Sequence, residues 1–176
     1  MQKRLMWWIN LLSGGAILAS YVYGLRTHPG SSTGLWGNVP QPILPLYGIS
    51  MLLAAAGYFA YTTFLLFRLN PNEARIARRF RFGLFNILYA LILVPSAMWM
   101  PLTLRMLKQP TAGLWLTIRL VLAAVALGSL GLLGALLSLR PRQPRWAYWL
   151  AVAGSVTFSI QTVLLDAVVW TAFFPA

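Results

Sequence analysis

Asp166 is the single aspartate of the chain and lies in the last third of a long apolar stretch. About 6–8 residues separate it from the end of that stretch, hence roughly 10 Å of depth at about 1.5 Å per residue. A carboxylate at such a depth in a bilayer costs at least a few kcal/mol unless it is paired, protonated or hydrated. Tyr148, Ser155, Ser159, Thr162 and Asp166 fall on one face of a helix turning about 100° per residue. Lipid cannot satisfy a polar stripe, so this face must meet protein or water. The chemistry it offers is recognition: hydrogen bonding and one charge. It predicts either a ligand-facing wall or interhelical hydrogen bonding.

Arg119 lies a few residues inside another apolar stretch, at a similar depth. An Arg119–Asp166 ion pair would neutralise both charges where the dielectric is low. The alternative turns Arg119 away from its helix's small-residue stripe and lets it snorkel to head groups, leaving Asp166 facing a cavity. Asn86, Tyr89, Ser96 and Thr103 could extend the polar lining, with Asn10 and Tyr21 as weaker candidates. Trp99, beside Ser96, is expected on the same wall, and Trp36 as a lid.

Catalytic chemistry has little to draw on. The second acidic residue, Glu73, is predicted at the opposite membrane face, and there is no Gly-rich phosphate loop or serine elbow. His28 is the sole histidine and cysteine is absent, so a multi-ligand metal site is not expected.

The elements that must position these residues are five apolar runs, at 5–25, 43–67, 84–104, 114–139 and 146–174. Each meets the roughly 20 residues a spanning helix needs. The chain of 176 residues is 59% hydrophobic and 9% charged, with a mean hydropathy of +0.71, so little remains for a soluble domain. A transmembrane barrel would show short segments of alternating polarity instead. One domain, 1–176, is expected: an all-α integral membrane bundle of five transmembrane helices.

The formal charge of +12 could suggest nucleic acid, but its distribution points to orientation. Lys3 and Arg4, then Arg68, Arg75, Arg78, Arg79 and Arg81, then Arg140, Arg142 and Arg145 supply ten of the 14 basic residues. All ten share one side if five spans alternate. The positive-inside rule makes that side cytoplasmic, with the N-terminus inside and residue 176 outside. The cluster at 75–81 could also hold anionic lipid head groups. A retained first helix, rather than a cleaved signal peptide, is expected from the length of its apolar run.

Ala54, Ala55, Ala56, Gly57 and Ala60 in span two, and Ala124, Gly128, Gly131 and Ala135 in span four, predict close helix contacts. Pro95 and Pro101 predict a kink in span three. In the loop at 68–81, Asn70 or Asn72 could cap a short amphipathic helix lying on the membrane. Pro40 and Pro42 prevent a helix through the end of the first outward loop, which is expected to lie across the bundle mouth. There is no internal repeat, and an odd number of spans argues against a self-contained inverted-repeat carrier.

In layout the chain resembles the translocator protein family, the tryptophan-rich sensory proteins that bind tetrapyrroles and sterols. The similarity lies in five spans over such a length, 8 Trp, and a long first outward loop carrying Trp36, Pro40, Pro42 and Pro45. That family's tryptophan–proline spacing before its second helix and its Asn-Trp pattern in the third have no counterpart here. No functional residue is carried across.

The sequence reading is a non-enzymatic membrane protein holding a small amphipathic or lipid-like ligand in a polar-lined pocket near the outer leaflet. Asp166, Thr162, Ser159, Ser96, Trp99 and Trp36 would form that pocket. Its expected surroundings are membrane lipids, in a bacterial inner membrane or an organelle membrane, with no nucleic acid and no cofactor specified. The alternative is an accessory or assembly subunit bound to partner membrane subunits. A proton-coupled transport component using Asp166 is the third reading.

Overall fold

An apolar run gives backbone N–H and C=O groups no lipid partner, so each run must close its own hydrogen bonds as a helix. A computed structural model describes residues 1–28 and 31–174. Its helices are α1 (Gln2–Thr27), the short α2 (Ser31–Trp36), α3 (Leu44–Thr63), α4 (Gly83–Lys108), α5 (Ala112–Leu137), α6 (Arg145–Ser159) and the final turn α7 (Thr171–Phe173). A 3-10 turn at Gln41–Ile43 leads into α3, which widens into a π turn at Phe64–Arg68. α6 likewise continues as a π-helix over Ile160–Trp170 before α7. Two short strands, β1 (Arg75–Ile76) and β2 (Leu139–Arg140), complete the described elements.

Five helices are long and apolar enough to cross a membrane: Gln2–Thr27, Gln41–Arg68, Gly83–Lys108, Ala112–Leu137 and Arg145–Phe173. These match the five predicted runs to within a few residues. The end of span three moves most, from 104 to Lys108, and at the end of span four Leu139 leaves the helix and joins β2. Thr111 caps the start of α5 by accepting a hydrogen bond from Leu114 N at 3.2 Å. α4 stays helical through Pro95 and Pro101. Residue 176, expected on the outer side, lies outside the described residues.

Around the bundle the packing order is α1, α4, α5, the fifth span, α3. α1 leans chiefly on α4, where Gly24 meets Met100 and Leu104. It reaches α3 and the π turn after it in the half of the bundle that carries the basic loops. There Trp7 packs edge-on to Phe67, and Tyr58 donates a hydrogen bond to Asn10 Oδ1.

Small residues decide which helices touch. α3 and α6 cross at Gly57 and Gly154, where a Cβ built on Gly154 would sit 2.7 Å from Gly57 Cα. Thr157 Oγ1 lies 3.2 Å from Leu53 O across the same crossing. Gly128 and Gly131 of α5 admit Ile92 and Leu88 of α4, so the span-four stripe serves span three rather than span five.

At the basic end the two loops are joined. β1 and β2 pair antiparallel, Arg75 opposite Arg140 and Ile76 opposite Leu139, with Ile76 and Leu139 buried. Ala77 and Arg78 take left-handed φ angles of 49° and 60° to reverse the chain. The surface helix expected within 68–81 is therefore not formed. Asn70 closes a turn instead, its Oδ1 accepting from Asn72 N at 3.1 Å. Arg142 donates to the carbonyls of Leu137 and Leu139 at the end of α5 and lies over the Tyr148 ring at 5.2 Å.

The apolar core has two parts. One, nearer the basic end, includes Tyr61, Phe64, Phe85, Tyr89, Ile92, Leu132, Tyr148 and Val152. The other, at the far end, includes Tyr47, Met106, Ile118, Leu122, Leu165, Trp170 and Phe174.

The α3–α6 crossing should be the least tolerant point of the fold. Gly57→Leu should lower stability in mild detergent by about 1–3 kcal/mol or prevent assembly, as overpacking does. Gly48→Leu, where a Cβ would meet nothing within 4 Å, should leave the thermal midpoint nearly unchanged. Thermal melts of the two variants check this.

Candidate functional site

A layer around the polar face of the fifth span draws on all five spans: Tyr21 from α1, Tyr47 from α3, Trp99 from α4, Ser129 from α5, and Ser159, Gln161, Thr162 and Asp166 from the fifth span itself. Ser155, Ser159 and Thr162 are buried, whereas Val156 on the other face is exposed. The predicted polar stripe thus faces the bundle interior.

The stripe divides by what its groups bond. Tyr148 OH donates to Leu136 O at 3.1 Å and Ser155 Oγ to Val152 O at 2.8 Å, so both are structural. Thr162 Oγ1 donates to Ser129 Oγ at 2.8 Å, and Ser129 Oγ in turn donates to Ala126 O at 2.8 Å. That relay ties the fifth span to α5. Ser159 Oγ, one turn earlier, is buried without a protein hydrogen-bond partner.

Asp166 is half-buried, and its carboxylate accepts a 2.8 Å hydrogen bond from Gln161 Nε2. Residues five apart point about 140° away from each other on an α-helix turning about 100° per residue. On the π-helix Ile160–Trp170 the i→i+5 bonding stacks them instead. This is why Gln161 escapes a sequence reading at α-helical period. Its only sequence signal is a lone amide in an apolar run. Gln161 is itself buried and its Oε1 has no protein partner.

Arg119 does not pair with Asp166. Its helix is turned so that Ile118 is buried at 0% exposure and Arg119 is exposed on the bundle's outer surface. The physical reason is the α5 stripe: Gly128 and Gly131 are committed to α4, which turns Arg119 out of the interior.

Aromatic rings enclose the layer. Tyr21 and Tyr47 lie within electrostatic reach of Asp166. Tyr21 stacks on Trp99 at 6.1 Å, Trp99 meets Trp170 edge-on at 5.6 Å, and Trp170 lies 4.4 Å from Phe174. Trp99 Nε1 is buried without a protein partner. Tyr47 OH donates to Leu165 O at 2.6 Å, bracing the π segment from α3.

The far end is covered by the loop after α2. Trp170 Nε1 donates to Leu35 O at 2.9 Å, Asn38 N to Phe173 O at 2.9 Å, and Trp36 packs edge-on to Tyr47 at 5.3 Å. Gly37, at φ 57°, permits the turn that brings this segment over. Trp36 therefore packs on Tyr47 at the far end of the bundle.

Other candidates fall elsewhere. Ser96 Oγ and Thr103 Oγ1 donate to their own helix, to Ile92 O and Trp99 O. Asn86 reaches Gln2 O at the basic end, Tyr89 OH pairs with Thr62, and His28 Nδ1 lies 2.8 Å from Thr27 Oγ1 at the end of α1. Among the described residues, no group of three or more His, Cys, Asp or Glu could hold a metal ion. The assembled layer can do hydrogen-bond and charge recognition between aromatic faces.

Because Asp166 bonds to Gln161 and not to Arg119, a double-mutant cycle of Arg119→Gln with Asp166→Asn should show coupling below about 0.5 kcal/mol, as for independent sites. The cycle of Gln161→Leu with Asp166→Asn should show coupling of at least about 0.5 kcal/mol, as for contacting residues. Thermal or denaturant unfolding in detergent measures both. In comparisons with known proteins, no family model, no curated protein and no solved structure matches this chain.

Proposed function

We propose that this protein is a non-enzymatic membrane protein that holds a small amphipathic ligand in the layer around Asp166. The observation that carries the reading is buried, unfinished hydrogen bonding on the fifth span and α4: Ser159 Oγ, Gln161 Oε1 and Trp99 Nε1 lack protein partners, and the Asp166 carboxylate is bonded by a single amide. Buried polar atoms cost free energy when unpaired, and a ligand carrying a polar head and an apolar body would pair them while setting its body against aromatic rings. Trp36 and the segment over the far end act as the cover. The thinly packed seam between α1 and α3 is the route from the bilayer, since α1 leans mainly on α4.

The orientation proposed is the one the arginines favour: the β1–β2 loops in the cytoplasm and the Asp166 layer toward the outer leaflet, in a bacterial inner membrane or an organelle membrane. The alternative reading, an accessory subunit of a larger complex, draws support from α1, whose apolar flank, including Leu11, Leu12 and Leu18, is exposed.

Native mass spectrometry from mild detergent separates the two. A small molecule retained on the 19.6 kDa chain, lost in Ser159→Leu and kept in Val156→Leu, is the expected result. Stoichiometric partner subunits and no retained molecule would overturn the ligand reading. The orientation is tested separately in this cysteine-free chain: a Cys at position 77 should react with impermeant reagent only from the cytoplasmic side.

A further inference from the structure

The chemistry around Asp166 also indicates the head group of the ligand, an inference that rests on the ligand reading above. Every element packed about the layer lacks a cation there. α1 contributes Tyr21, α3 contributes Tyr47, α4 contributes Trp99, and the arginine of α5 is exposed on the outer surface. The remaining basic residues of the far half, Arg26, Arg105 and Lys108, are exposed at helix ends. Asp166 is thus a carboxylate whose charge no protein cation offsets, in a setting where an uncompensated ion is strongly disfavoured.

The groups that remain open nearest Asp166 are acceptor oxygens. Gln161 spends its amide N–H on Asp166 and leaves Oε1 free, and Ser159 Oγ, about two turns from Asp166 along the same span, is unpaired. Beside them stand the π-systems of Tyr21, Trp99 and Trp170, in continuous contact. Acceptor oxygens, one anionic carboxylate and aromatic faces together match a cation with several N–H donors. We propose that the layer selects amphiphiles whose head group is a protonated amine, the ammonium donating to the Asp166 carboxylate and to Gln161 Oε1 with its apolar body against the aromatic wall. An anionic head group would meet the carboxylate, and a neutral alcohol would leave its charge unanswered.

The test uses the full chain in nanodiscs of phosphatidylcholine, a lipid of no net charge, and reads tryptophan fluorescence at neutral pH. The probes are phenylbutylamine, phenylbutanol and phenylbutyrate, close in size and differing in head-group charge. The expected result is amine binding tighter than alcohol by about 10-fold, equivalent to about 1.4 kcal/mol, with the acid weakest. Asp166→Asn should bring amine and alcohol to parity, while Asp166→Glu keeps the order. If Asp166→Asn does not fold, Gln161→Leu replaces it and should shrink the amine preference. Equal binding of amine and alcohol to the wild type, or a preference that survives Asp166→Asn, overturns the amine assignment and leaves the ligand reading standing. Failure of all three probes to bind overturns both.

Discussion

The backbone contact between Gly57 and Gly154 sets the position of the fifth span, and much of the interior depends on it. In lipid there is little hydrophobic drive for one helix to meet another, so close approach must come from shape. Two glycines facing each other let α3 and α6 approach until neither has room for a Cβ. That contact fixes the rotation of α6, which puts Ser155, Ser159 and Thr162 inward. The second small-residue surface, on α5, is used up by Leu88 and Ile92 of α4. The two crossings together leave the fifth span between α3 and α5, with its polar face toward the middle of the bundle.

A change of helix type then turns position into a site. α6 gives way to a π-helix over Ile160–Trp170, and residues five apart come together. Gln161 meets Asp166 as a consequence, and Tyr47 from α3 braces the wider turn through the carbonyl of Leu165. π segments are uncommon and recur at functional sites. Here the π segment carries the chain's only aspartate and the amide that binds it. The apolar core falls into a part near the basic end and a part under the far loop, and on the fifth span Ser159, Gln161 and Thr162 lie between Val152 of the first and Leu165 of the second. That layout costs packing, which is why its unpaired atoms are informative.

The basic end is organised by different means. Antiparallel pairing of β1 with β2, and the Arg142 guanidinium on the last carbonyls of α5, join the two loops into one unit. The exposed arginines of that unit therefore stand on a fixed frame rather than on two independent loops. The far end is held instead by the fifth span, whose Trp170 Nε1 donates to Leu35 O in α2 and whose Phe173 O accepts from Asn38 N just after it.

The sequence by itself determined that there are five apolar spans, where each begins and ends to within a few residues, and which face of the fifth span is polar. Those properties follow from local composition and a period of 3.6, and neither needs a neighbour. It also singled out Asp166, because a carboxylate in an apolar run is costly wherever the helix packs. Only the tertiary structure decided what Asp166 meets. Arg119 has the right depth but points outward, because rotation about a helix axis is fixed by which small residues contact which neighbour, a choice among several helices that one-dimensional spacing leaves open. Gln161 was hidden for the complementary reason: its partnership requires a π register, and an α-helical period sends it to the other face. Likewise the loop at 68–81 carries residues suited to a surface helix, but its partner strand lies more than 60 residues later, and long-range pairing overrode the local preference.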